Sequence, residues 1–292
     1  MDMSSDELKG LTLAFIGSGT MAGAIIHALR GAGGVAPGRI IASDPLIERG
    51  KELQDLYGVH TTTDNVAAAS EADVVILAVK PQVLPRVLPE LRGHVKPAAL
   101  VFSIVAGMPI STISSGLNHA AVVRVMPNTP AQIEEGMAVW TAAPAVTEAQ
   151  RAQAQAILQT MGLEMYAGQE DDLDMATAVS GTGPTYVFLL MEAMVDAAVH
   201  LGFSRRQARL LVVQTVLGSA RMAQQSDLHL AQLRNMVTSP GGTSAEAIYQ
   251  LEKGSMRTVL SKAIWAAYRK SRLLGERAQQ PAEGPLTVNG ES

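Results

Sequence analysis

The chain contains no cysteine, which removes disulfides, thiolate metal sites and thiol nucleophiles at once. Its histidines supply no metal site either: His27, His60, His94, His119, His200 and His229 are scattered, with no pair at close ligand spacing, so no metal is expected. Charge is scarce, at 17% of residues with a net charge of -4. With no basic stripe to neutralise several phosphates, a nucleic-acid partner is not expected and small molecules are the expected ligands. From Pro97 to Val123 there is no charged residue at all, a span long enough to cross a bilayer. Gly107-Met108-Pro109 and the polar stretch STISSGLNH interrupt it, so it reads as a buried strand followed by a helix, with no membrane partner. The opening residues MDMSSDELKG are acidic and lack an apolar core; they are not a secretory signal, and the cytoplasm is the expected compartment.

What is present is apolar: 47% of 292 residues are hydrophobic, enough for large cores, and the length points to two domains. In the first half, short apolar runs alternate with helical patterns. LTLAFIG (11–17) leads into a helix, then RIIAS (39–43), a helix over 46–56, DVVILAV (73–79), a helix near 83–92, ALVFSIV (99–105), a helix near 109–117, and AVVRVM (121–126). EEGMAVWTA and LEMYAG add edge strands around a helix at about 147–161. This alternation predicts an α/β fold, a Rossmann-type parallel sheet with helices on both faces.

The first turn reads Gly17-Ser18-Gly19-Thr20-Met21-Ala22, a G-x-G-x-x-A fingerprint between a strand and a helix. Gly17 permits a tight turn, Gly19 lets a pyrophosphate approach the backbone, and Ala22 keeps the helix close to the strand. Asp44, at the end of the second strand, stands where an acid contacts the adenine ribose and favours NADH over NADPH; the alternative is that it caps the next helix. Beyond Asp171 the pattern is helical. PTYVFLLMEAMVDAAVHLGF, SRRQARLLVVQTVLGSARMAQQ and SMRTVLSKAIWAAYRKSRLLGE read as long helices too apolar to stand alone, so a homo-oligomer is expected. SGTGP (180–184) and SPGGTS (239–244) read as loops before helices, each offering backbone N–H groups and hydroxyls without a counter-charge, which suits a carboxylate or a plain helix cap.

Several of these segments together, FIGSGTMAGAI, AVKPQ, VMPNTPAQIEEG, AVSGTGPTYVF and SPGGTSAEAI followed by LEKG, closely resemble pyrroline-5-carboxylate reductases over roughly residues 11–275. The resemblance implies a Rossmann domain over 1–168, an all-α dimerisation and substrate domain over 169–278 and a flexible tail over 279–292. It implies reduction of 1-pyrroline-5-carboxylate to L-proline with NADPH or NADH, in a homodimer or a larger assembly of dimers. Implied cofactor contacts are Gly17, Ser18, Gly19, Thr20, Met21, Ala22, Ser43, Asp44, Asn65, Ala78, Val79, Lys80, Pro81, Ala106 and Gly107. Implied substrate contacts are Ser180, Thr182, Gly183, Ser239, Gly241, Gly242, Thr243 and Ser244, with Thr243 and Ser244 coming from the partner subunit. Ser244 takes a positioning and proton-donating role and Glu170 lies near the ring nitrogen, both on the resemblance alone.

The chain departs from relatives at Thr182 and Ser244, which keep a hydroxyl, at Asp44, which bears on NADPH use, and at Asn235-Met236, where a polar pair is replaced. A β-hydroxyacid dehydrogenase of the same plan needs a lysine base early in its helical domain, and no lysine lies between Lys96 and Lys253. A non-catalytic NAD(P)H sensor would need the first glycine loop and not the second.

Overall fold

The structure, a computed structural model, describes residues 6–279. The described chain divides into two compact units, one running up to Thr182 and including the chain from Ala267 on, the other spanning Gly183–Ala266.

The first unit is built on eight strands: β1 (Leu13–Ile16), β2 (Ile40–Ser43), β3 (His60–Thr62), β4 (Val74–Leu77), β5 (Leu100–Ser103), β6 (Val122–Met126), β7 (Gly136–Ala142) and β8 (Gly162–Tyr166). They lie in the order β3-β2-β1-β4-β5-β6-β7-β8. The first six are mutually parallel, β7 runs antiparallel to β6, and β8 is parallel to β7. The connecting helices are α1 (Thr20–Gly31), α2 (Ile47–Tyr57), α3 (Asn65–Glu71), α4 (Leu84–Leu91), α5 (Ile110–Leu117) and α6 (Glu148–Gln159). The charge-free stretch is thus β5, α5 and the start of β6, the strand and helix expected. No described helix is long and apolar enough to cross a membrane.

Both faces of the sheet are covered, which is why its strands read as continuous apolar runs. Leu13, Phe15, Ile76, Phe102 and Val123 point to one core with Ile25, Leu29 and Ile157 of α1 and α6. Ala14, Ile16, Val75, Val101 and Val122 point to the other with Leu84, Leu88 and Ile113 of α4 and α5. Phe15 and Phe102 are wholly buried, and each such side chain contributes about 1.5–3 kcal/mol. Helix starts are marked locally: Asp64 accepts from the Val66 and Ala67 N–H groups at α3, and Thr147 and Gln150 form a capping box at α6.

By its contacts the chain parts at Thr182/Gly183. The short helix α7 (Asp172–Ala176) buries Leu173 and Ala176 against Val139 and Ala167, so this stretch stays with the sheet. The tail expected over 279–292 lies outside the described residues, apart from Gln279.

The second unit holds α8 (Gly183–His200), α9 (Arg205–Gln224), α10 (Leu230–Met236), α11 (Thr243–Lys253) and the first part of α12 (Met256–Gln279). Helices α8 and α9 pack on each other. No residue of α8 is buried, and Phe188 and Leu189 are 62% and 65% exposed; Leu210, Val259 and Trp265 are also exposed.

At the base of the sheet, Asp73 accepts from the Thr12 N–H at 2.9 Å and from Lys96 Nζ at 3.1 Å. Partial burial pushes its pKa up, but the Thr12 N–H and Lys96 outweigh this and hold it below 3.8. Because the folded-state value is depressed, the group stabilises the fold above 3.8 and that contribution is lost as pH falls through the lower folded value. Acid unfolding followed by circular dichroism should therefore be less steep for Asp73→Asn than for the parent below about pH 4; identical acid limbs would show that Asp73 carries no linkage.

Candidate active site

The order of strands reverses between β1 and its neighbours β2 and β4, and in open parallel sheets ligands bind beyond the strand ends at that point. Gly17 ends β1 with φ +94°, and its N–H donates to Ser43 O at 2.8 Å. A Cβ at Gly17 would lie 2.9 Å from Val79 Cγ1 and 3.0 Å from the Ala78 carbonyl carbon, so only glycine fits. Gly19 is the N-cap of α1 without a side-chain capping bond, and a Cβ placed there would meet open space. Ser18 is fully buried, and its Oγ is the one buried side-chain polar atom without a partner among the described residues. An uncapped helix start, open space at Gly19 and an orphaned hydroxyl fit a pyrophosphate.

The other expected cofactor residues of this unit gather around the same strand ends. Ser43 Oγ donates to Asn65 Oδ1 at 2.8 Å, and Asn65 Nδ2 donates to Glu90 at 3.1 Å. The Ala78 N–H donates to Ile16 O, and the Lys80 carbonyl accepts from Val83 and Leu84, which starts α4 after Pro81. Gly107, φ +70°, is tied to α12: a Cβ there would be 3.3 Å from the Gly275 N, and one on Gly275 would be 2.8 Å from Gly107 O. Asp44 is not free at the strand end. Its Oδ2 accepts from the Ser18 N–H at 2.9 Å and its Oδ1 from the Leu46 N–H at 3.0 Å.

One expectation is corrected here. SGTGP is not an open loop before a helix: Thr177–Gly181 form a π-helical turn that continues α7. The Thr182 N–H donates to Thr177 O at 2.8 Å, and the Ser180 and Thr182 hydroxyls donate to Ala176 O and Thr177 O. These groups are engaged within the turn, whose bulge is a feature common at functional sites. Glu170 is also engaged: its Oε1 accepts from the Ile110 N–H at 2.7 Å and from Arg124 Nη1 at 3.0 Å.

That pair belongs to a network that motif reading missed. Arg124 of β6, 6% exposed at its side chain, also donates to Asp174 Oδ1 at 3.2 Å, and Asp174 accepts from Ser271 Oγ of α12 at 2.8 Å. A lone charge in an otherwise apolar strand needs a partner, and that was the available signal for Arg124.

In the second unit, TSPGGTS forms a tight turn. The Gly242 N–H donates to Ser239 O at 3.1 Å, Gly241 has φ +70°, and a Cβ on Gly242 would collide with Ser239 Oγ. Gly242 is the N-cap of α11 without a side-chain capping bond, which places Thr243 and Ser244 in the first turn, where N–H groups have no helical acceptor.

Comparison with known proteins agrees with this arrangement. Residues 170–274 match the family model described as pyrroline-5-carboxylate reductase dimerisation, and residues 12–107 match that described as NADP oxidoreductase coenzyme F420-dependent. A pyrroline-5-carboxylate reductase of Pseudomonas aeruginosa is 40% identical over 269 residues, 92% of this chain and 98% of that one. One from Synechocystis is 41% identical over 267 residues, 91% of this chain and 99% of that one. Among solved structures, the Coxiella burnetii reductase superposes with a TM-score of 0.83 at 39% identity, covering 90% of this chain and 98% of that one. The Plasmodium falciparum enzyme, solved with NADP bound, gives 0.84 at 30%, covering 91% and 99%. The nucleotide-binding sheet with its glycine turn, followed by a helical unit, defines an NAD(P)H-dependent oxidoreductase that forms homo-oligomers. The chain belongs to the pyrroline-5-carboxylate reductase family.

The contacts of Glu170 Oε1 tie β6 to the start of α5. Glu170→Gln keeps an acceptor for the Ile110 N–H and loses the ion pair, so the melting temperature should fall while turnover changes by less than about tenfold. A loss of turnover of about 100-fold or more at unchanged melting temperature, the scale of a lost acid–base group, would instead return Glu170 to the reaction.

Proposed function

We propose that this chain reduces 1-pyrroline-5-carboxylate to L-proline with NAD(P)H, the last step of proline biosynthesis. The observation that carries this reading is a pair of helices, α1 and α11, that each open on a glycine N-cap with no side-chain capping bond, at Gly19 and Gly242. The reaction brings two anions to the protein, a pyrophosphate and a substrate carboxylate, and each helix start suits one.

The turn Gly17 to Ala22 holds the pyrophosphate, with Ser43, Asp44, Asn65, the Ala78 to Pro81 stretch and the Ala106-Gly107 turn around the rest of the dinucleotide. When bound, the nicotinamide supplies the hydride. The substrate carboxylate is anchored by Ser239, Gly241 and Gly242, Thr243 and Ser244, where charge-assisted hydrogen bonds contribute about 1.5–3 kcal/mol each. Ser180, Thr182 and Gly183 serve the substrate through their shape, since the Thr182 N–H and the Ser180 and Thr182 hydroxyls are engaged within the turn. A protonated imine carbon is already electrophilic and leaves a neutral ring nitrogen after reduction, so positioning dominates over acid–base chemistry. Ser244, in the first turn of α11, orients the ring and is a proton source of that segment. Glu170 acts from behind, by holding the N-terminus of α5 and Arg124.

The assay is direct: purified protein, NADH or NADPH, and the imine, with proline measured as product. Gly242→Val should raise the KM for 1-pyrroline-5-carboxylate by at least about tenfold, equivalent to roughly 1.4 kcal/mol, and leave cofactor affinity nearly intact. Equal weakening of both ligands, or a lowered melting temperature alone, would make the segment a structural turn.

The oligomer is a homodimer or an assembly of homodimers, because α8 has no buried residue to support it as a lone chain. Sedimentation at micromolar concentration should show no stable monomer. A folded, active monomer would remove the dimer from the reading.

A further inference from the structure

We propose that Asp44 and Arg49 grip Ser18 from both sides, Asp44 at its N–H and Arg49 at its carbonyl, and fix the glycine turn in its dinucleotide-binding shape, which makes Arg49 a positioning residue for the cofactor. The proposal rests on the assignment of that turn to the cofactor.

Ser18 lies between two glycines, so its peptide has little intrinsic restraint, and Gly17 already sits in the left-handed region at φ +94°. A loop of that kind does not hold one shape unless its polar groups are fixed from outside. Both are. The Ser18 N–H donates to Asp44 Oδ2 at 2.9 Å, and the Ser18 carbonyl accepts from Arg49 Nε at 2.6 Å. The two side chains come from one short stretch, the end of β2 and the first turn of α2, and both are charged, so each bond is of the stronger kind.

The grips are themselves held. Asp44 Oδ1 accepts from the Leu46 N–H. Arg49 Nη1 is paired with Glu52 one turn on, and its Nη2 lies 3.6 Å from where a Cβ on Gly23 would sit, an ordinary contact distance, so the guanidinium lies against the fingerprint helix. The same contacts change the meaning of Asp44. A carboxylate with each oxygen on a backbone N–H acts on the turn shared by NADH and NADPH, and discrimination between them is not its first effect.

A turn ordered before the ligand arrives avoids the entropy of ordering it on binding. Releasing one peptide should weaken binding roughly tenfold, the scale of restraining one residue's backbone. The test is calorimetric titration of NADH, NADPH and ADP-ribose into the full-length protein and its variants. Arg49→Leu should weaken all three about equally, by roughly tenfold, with the KM of the imine at saturating cofactor unchanged. Arg49→Lys, which keeps a charged donor, should recover most of the loss, and Asp44→Ser should weaken NADH and NADPH alike. Arg49→Gln replaces Arg49→Leu should the latter fail to fold.

Wild-type affinities in Arg49→Leu would overturn the grip. A loss confined to NADPH would also overturn it, because Arg49 would then be a ligand of the 2′-phosphate. So would a changed NADH to NADPH ratio in Asp44→Ser, since the acid would then be reading the ribose. A parent protein that binds none of the three ligands would overturn the cofactor assignment itself, and the grip with it.

Discussion

Where β1 ends, the chain has no room for a side chain: beside Gly17 the backbone of Ala78 and the side chain of Val79 already occupy the position a Cβ would take. The close approach of these two strand ends governs the geometry of the crevice around it. It lets Gly17 bond to Ser43 across the sheet, so that three adjacent strands end at one level, and it starts α1 directly over the sheet edge. The free N–H groups of that helix then face the crevice at the reversal of strand order, where an anion meets the positive end of the helix. Asp44 and Arg49 bond the two peptides on either side of Ser18, between the glycines of this arrangement.

Arg124 plays a corresponding part at the other side of the unit. A buried guanidinium is costly unless its donors are matched, and its two partners, from one short stretch, each reach a distant element: Glu170 meets the first N–H of α5, and Asp174 meets Ser271. The consequence is that β6, α5, α7 and the end of α12 are held by one charge. Gly107 and Gly275 approach each other closely beside it, so the turn after β5 takes its position from a helix more than a hundred residues further along the chain.

The sheet was largely legible in the sequence, because strands buried on both faces leave unbroken apolar runs such as VVIL of β4. The strand β3 was not: His60, Thr61 and Thr62 carry no apolar signal, and they form a strand only because β2 offers an edge. The glycine turn was legible since its residue types answer to a backbone requirement. The π turn at Thr177–Gly181 was not, because one extra residue in a helical turn leaves no mark on composition, and the hydroxyls of SGTGP suggest a loop while donating back to the helix. Glu170 shows the remaining gap. Motif resemblance pointed to a ligand contact but could not show the partner its Oε1 meets 46 positions away, a pairing that exists only once β6 is in place.

The uncovered helices of the second unit bear on how the molecule comes to exist. A chain newly released from the ribosome displays Phe188, Leu189 and Trp265 to water until another copy arrives, so maturation is a second-order process with a waiting time that lengthens as expression falls. During that interval the chain is a substrate for holdase chaperones and proteases.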